Sequence, residues 1–262
     1  MPFIEWEEVE AWRKQKNAET AEWSRNEMGK DYRYFANAVS ITSRCLEVLD
    51  KGLQEGPPDH SLIIRFQAAR LQTEFAFTRL LNAWDLLLEG YHYDARGLQR
   101  VAWEAVNRAG LYILDEEAAT QFLDGKEMRE GEVRKKLNAQ VKEVFPEEWG
   151  KQGDVLTEQF KTLSAFNHSY NLGVVLLQSI VNKHQVGLSE VGVRKRQELY
   201  VSLALNVFLM QRIPGLLREP LSRLDYWSME LGEQINQSEK DRKQLDVKIQ
   251  REFPLEETAL TG

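Results

Sequence analysis

Four histidines, one cysteine and a scatter of arginine–glutamate pairs are the residues of this 262-residue chain that could do chemistry. Metal binding fails first. One cysteine, Cys45, cannot build a thiolate zinc site, and His60, His92, His168 and His184 lie far apart in sequence. Glu89 and His92 have the Glu-x-x-His spacing of di-iron bundles. Such a centre needs a second copy and two further glutamates; no second copy exists, and Gly90 interrupts the first. Phosphate-cradling glycine loops and a serine elbow are also missing from the sequence. We therefore expect neither a metal nor a cofactor.

Two segments remain. The first, "YDARGLQRVAWEAVNRAGLYIL" (93–114), places Arg96, Gln99, Arg100, Glu104, Asn107 and Arg108 on one side of a helical wheel. Leu98, Val101, Ala102, Ala105, Ala109 and Tyr112 fall on the other. Arg100 and Glu104 are spaced i, i+4 and can pair, by default as a solvent-facing ion pair. Trp103 and Leu111 share that polar side, which points instead to a face that meets another helix, another subunit or a ligand.

The second segment is "TLSAFNHSYN" (162–171), at the end of an amphipathic stretch. With Leu156 at the origin of the wheel, Phe160, Leu163 and Tyr170 fall within about 40° and Asn167 at about 20°, inside the apolar stripe. A buried asparagine there must find hydrogen-bond partners. His168 falls near ~120°, beside Ser164 and Lys161, at the edge of the stripe and able to face a cleft.

The elements that must position these groups read as helix after helix. Stretches at 4–28 and 31–50 precede a Gly/Pro-rich loop at 51–60. Leu62, Phe66, Ala69, Thr73, Ala76, Leu80, Ala83 and Leu87 then step by four and three, and Ile63, Phe77, Leu81 and Trp84 widen the stripe. Ser61 suits an N-cap there and Gly90 a C-terminal stop. Further helices are predicted at 94–114, 116–123, 131–144 and 154–169.

The segment 171–193 reads equally as buried helix or strand, with Gly187 and Gly192 bracketing a loop. A helix at 194–212 ends at Pro214-Gly215. A last helix at 220–251 turns highly charged, its outer half predicted to project or to pair with another chain. The expected fold is all-α: a single multi-helix bundle with long antiparallel helices. It divides into N-terminal helices (1–50), a core (61–215) and a charged C-terminal helix with its tail (216–262).

Composition limits the partners. Hydrophobic residues make up 42% and charged residues 29%, as in globular chains. The net charge of −7 gives no general basic surface for nucleic acid. The clusters Arg134-Lys135-Lys136 and Arg194-Lys195-Arg196 read as solvated helix faces, with room at most for a small basic pocket. The lone cysteine suits a reducing compartment. The acidic N-terminus is no signal peptide, and "LYVSLALNVFLM" (199–210) falls short of the ~20 residues that span a bilayer. A cytoplasmic protein without a membrane partner is expected, one that forms a homo-oligomer or binds a partner protein.

"DARGLQRVAWEAVNRAGLYIL", then "DEEAATQFLDG", then "LSAFNHS" resemble a loose group of uncharacterised bacterial helical proteins related at a distance to the HEPN superfamily (higher eukaryotes and prokaryotes nucleotide-binding). The resemblance spans about residues 60–215 and rests on degenerate motifs. These are an Arg-x-x-x-Glu pair, here Arg100 and Glu104, and a Ser-x-Phe-x-His-like turn, here Ser164 to His168. It implies a helical bundle, often dimeric, of the kind found among toxins, abortive-infection proteins and RNA-processing enzymes, and so a place in bacterial stress or phage defence.

Ribonuclease members carry Arg-x-x-x-x-His. The residues five before the four histidines here are Glu55, Leu87, Leu163 and Ser179, none of them arginine. The function expected is therefore a non-catalytic HEPN-like module that binds a partner protein or a small anionic or nucleotide ligand. Its pocket would use Arg96, Arg100, Glu104, Asn107, Asn167 and His168. Two alternatives stand beside it. One is a metal-independent ribonuclease with His168 as acid/base and Arg100 stabilising the phosphorane charge. The other is a structural subunit that oligomerises through its C-terminal helix.

Overall fold

A computed structural model describes residues 6–56, 59–126, 128–144 and 188–253. Among these, eight α-helices and no strand occur: α1 (Trp6–Met28), α2 (Tyr32–Glu55), α3 (His60–Leu88), α4 (His92–Leu114), α5 (Glu116–Leu123), α6 (Glu130–Val144), α7 (Leu188–Arg223) and α8 (Met229–Glu252). The expected all-α bundle is what forms. The helix anticipated at 154–169, and 171–187 with it, lie outside the described residues.

The α3–α4 hairpin is its spine. The heptad stripe of α3 is buried from Phe66 through Ala69, Thr73, Ala76, Leu80 and Ala83 to Leu87. Small residues at every second position of that stripe let α4 approach closely: Ala69 packs with Ala109 and Ile113, and Arg65 donates to the Ile113 carbonyl at 3.0 Å. Gly90, at φ +87°, ends α3 in a conformation that favours glycine. The N-cap is Asp59 rather than Ser61, its carboxylate accepting from the Ser61 amide at 2.9 Å. Asp115 likewise caps α5 through the Ala118 amide.

Helix α7 departs most from expectation. It begins at Leu188, so Gly192 lies inside a helix rather than in a loop, and it runs on through Pro214 and Pro220 to Arg223. A proline inside a helix removes the hydrogen bond to the carbonyl four residues back. For Pro214 that carbonyl belongs to Met210, and the buried Thr42 of α2 donates to it at 3.1 Å. Ile213, Leu217 and Leu221 are completely buried on both sides of the proline, and that burial supports continuation of the helix through it. Continuity to Arg223 also gives a stretch, Arg196–Arg223, long and apolar enough to cross a membrane by length and composition. Leu203, Val207, Met210 and Ile213 within it are buried against the other helices.

Thr42→Val should therefore strand a buried carbonyl at nearly constant volume and cost about 1–3 kcal/mol in urea denaturation. An unchanged midpoint would mean that α7 tolerates Pro214 without this bond.

The charged half of α8 neither projects nor stands free. Leu245 is fully buried, and Lys248 forms an ion pair with Asp31, at the α1–α2 junction. The Tyr200 hydroxyl donates to the same carboxylate at 2.9 Å, and Lys248 Nζ donates to that hydroxyl at 3.2 Å. Arg196 adds ion pairs to Glu27 at 2.8 Å and Glu252 at 3.2 Å. Part of the Arg194-Lys195-Arg196 cluster thus clamps α1, α7 and α8 together instead of facing solvent unpaired. Asp31 precedes α2 but makes no side-chain cap bond, its carboxylate being engaged by Lys248 and Tyr200.

Candidate functional site

Helix α4 is covered on nearly every side by α3, α5, α6 and α7, and this rotates the expected wheel. Gln99, placed on the polar side, is fully buried; its amide donates to Asn206 Oδ1 at 2.8 Å and to the Ser202 carbonyl at 3.1 Å, both on α7. Val101, placed on the apolar side, is 37% exposed. Trp103 and Leu111, the two residues at odds with a solvent-facing reading, are wholly buried. The side of α4 that carries the arginines is an internal face.

Residues 100, 104, 107 and 111 follow one another at i, i+4, i+7 and i+11, so they share that face. Arg100 Nε donates to Glu104 Oε1 at 3.0 Å; both side chains are about three-quarters buried rather than exposed. Leu111 and Tyr112 pack on Val133 and Leu137 of α6, which fixes α6 against the C-terminal half of α4. Asn107 lies between the ion pair and this apolar contact. It is 1% exposed, and among the described residues neither of its amide atoms has a hydrogen-bond partner. Such an orphaned amide is costly in a folded protein.

Helix α6 supplies the rest. Glu130, Arg134 and Asn138 recur every fourth residue beside the Val133–Leu137–Val141 stripe. Glu130 and Arg134 lie 3.8 Å apart with side chains only 16% and 22% exposed. Arg108 Nη2 reaches the Met128 carbonyl at 3.4 Å. Burial pushes the Glu130 carboxyl up to about 7, and the nearby Glu104 charge pushes the same way; Arg108, Arg134 and Arg100 pull against both. Neither Glu130 oxygen has a hydrogen-bond partner among the described residues, nor does Asn138 Oδ1.

Of the residues expected from sequence, the fold brings Arg100, Glu104 and Asn107 onto one face. Arg96, half-buried one turn earlier on α4, is not among the charges that act on Glu130. Asn167 and His168 lie outside the described residues. Sequence reasoning sets Arg108 on the polar side of α4 but leaves it out of the pocket, and it misses Glu130 and Arg134. A signal exists for these two: they are an i, i+4 pair flanking an apolar stripe, with Arg134 hidden in a basic cluster that reads as solvated.

Among the described residues no group of three or more His, Cys, Asp or Glu side chains is placed to hold a metal ion. The cluster can hold an oxyanion against its guanidinium groups, and Glu130 can take up or release a proton near neutral pH. Fold and cluster together define an all-α bundle with an internal charged site between two of its helices. No protein-family model, curated protein or solved structure matches the chain.

Proposed function

We propose that this protein is a non-catalytic, HEPN-like helical module whose α4–α6 cluster holds a small anionic ligand, or an anionic group of a partner protein. The observation that carries this is Glu130: a buried carboxyl without a hydrogen bond among the described residues, titrating near neutrality among three arginines. A structural site would do better with a neutral residue there, and perturbed carboxyls of this kind concentrate where ligands bind or protons move. Arg100, Arg108 and Arg134 all act electrostatically on Glu130, and a proton on that carboxyl near pH 7 lowers the negative charge an anion would meet beside them. Asn107 Nδ2, 1% exposed, adds an uncommitted donor on the same face.

Calorimetric titration of the purified chain with inorganic pyrophosphate tests this at pH 6.5 and pH 8. Binding should weaken about tenfold or more in Arg100→Ala, the scale of a charge-assisted hydrogen bond. It should also weaken as pH rises, because Glu130 ionises beside the anion. Equal affinity in the wild type, Arg100→Ala and the double variant Arg100→Ala/His168→Ala removes the proposed pocket. Cleavage of structured RNA that depends on Arg100 or His168 would replace the non-catalytic reading with the ribonuclease one.

A further inference from the structure

A second site lies away from this cluster, where α2 and α8 run antiparallel. The two helices are tied at one end by Arg44, whose Nη1 donates to Glu230 at 2.9 Å and Gln234 at 3.1 Å, and at the other by the Asp31–Lys248 ion pair. Between these ties they part to leave a groove of about 290 Å³. That volume is near the lower end of small-molecule sites. Among the described residues lining it, seven of eight are polar, with Ile41 the exception and no aromatic ring among them. A contact made only for helix packing would be apolar here.

Among the described lining residues no ring offers a stacking face for a nucleobase or a sugar. What the groove offers is a cation at one end and an anion at the other. Among the described residues Arg44 reaches its two partners through Nη1 alone, and Glu230, which also accepts from Gln234, is two-thirds exposed. At the far end Asp241 accepts from Gln237 Nε2 at 3.0 Å through Oδ1 alone. Gln234 and Asp241 are seven residues apart on α8, about 10 Å along the helix axis.

The floor is Ser238, 4% exposed, whose hydroxyl oxygen accepts from Gln211 Nε2 at 2.6 Å. A small cavity beneath shares Ile41 and Ser238 with the groove and reaches Gln211. Gln211 Oε1 is buried there without a hydrogen-bond partner among the described residues.

The geometry points to a binding site for a short zwitterionic peptide of two or three residues, its carboxylate on Arg44 and its ammonium on Asp241. An extended chain of that length spans about 7–10 Å, comparable with the ~10 Å that α8 rises from Gln234, the residue Arg44 contacts, to Asp241. Asn37, Ser40 and Gln237 are placed along the walls to meet the peptide amides between the ends. The groove shares no residue with the α4–α6 cluster.

Titration of the ¹⁵N-labelled full chain with L-alanyl-L-alanine, followed by NMR, is the test. Amide shifts should cluster on α2 around 37–44 and on α8 around 234–241. Asp241→Asn should weaken binding at least about tenfold, as should acetylating the ligand's amine, since each removes a charged hydrogen bond. Amidating the ligand's carboxylate should do the same at the Arg44 end. Ser40→Trp, at an exposed position, should block the groove while the melting temperature stays put. The proposal is overturned by shifts that are absent at millimolar peptide or fall elsewhere, or by capped peptides that bind as well as the free one.

Discussion

Replacing Glu130 with glutamine should stabilise the protein at pH 8 by about 3 kcal/mol and remove a pH dependence that the wild type carries between pH 4.5 and 7. The carboxyl titrates near 7 in the fold, against 4.5 as its ordinary value. Each unit of that difference corresponds to about 1.4 kcal/mol between the two protonation states. Because the folded value is the higher one, the native state keeps a proton between pH 4.5 and 7 that the unfolded chain has released. Stability therefore falls as pH rises through this window, and the full penalty is present above 7.

Glutamine keeps the shape and cannot ionise, so the difference between variant and wild type should be near zero at pH 4.5 and largest at pH 8. Urea denaturation of both proteins at pH 4.5, 6 and 8 measures it, and taking the difference cancels the other carboxylates. A gap that is the same at all three pH values would mean that Glu130 is not the group buried at cost. The same substitution removes the proton that an anion bound beside Glu130 would stabilise. A more stable protein that binds pyrophosphate with less pH dependence is the expected combination.

Much of this fold was legible in the sequence because burial follows period. The α3 stripe from Phe66 to Leu87 is buried as its spacing requires, and the bounds of α5 and α6 fall within a residue of those predicted. Gly90 stops α3 where a left-handed residue is needed.

What was not legible depends on partners distant in the chain. The wheel of α4 assumed one apolar side, whereas other helices surround it, so Gln99 went inside to meet Asn206 and Val101 went outside. Pro214 reads as a stop, and Thr42, more than 160 residues earlier, supplies the hydrogen bond to the Met210 carbonyl that the proline cannot. The Arg100–Glu104 half of the site was visible as a spacing on one helix. The α6 half was not, because the acidity of Glu130 depends on burial and on charges brought up by a different helix.

Trp103→Ala should be the most damaging single change, costing about 3–5 kcal/mol, the usual range for emptying a buried tryptophan site. Trp103 is fully buried, among the largest such side chains, and belongs to the core cluster shared by α1, α2, α3, α4, α7 and α8. Its position on α4 follows Arg100 by three residues and precedes Asn107 by four, so the ring backs the very turn that presents the charged cluster. A cavity there should loosen the turn as well as weaken the core.

Trp103→Phe, which keeps a ring in place, should lose much less stability and retain most of the pyrophosphate affinity. Trp103→Ala should lose both, the affinity even where urea titration shows the protein still folded. If alanine costs under about 1.5 kcal/mol, the face relaxes around the gap and Trp103 is not what holds the arginines in register. If stability falls as expected while anion binding is untouched, the core and the α4–α6 cluster are independent, and Arg100 and Glu104 owe their placement to α6 alone.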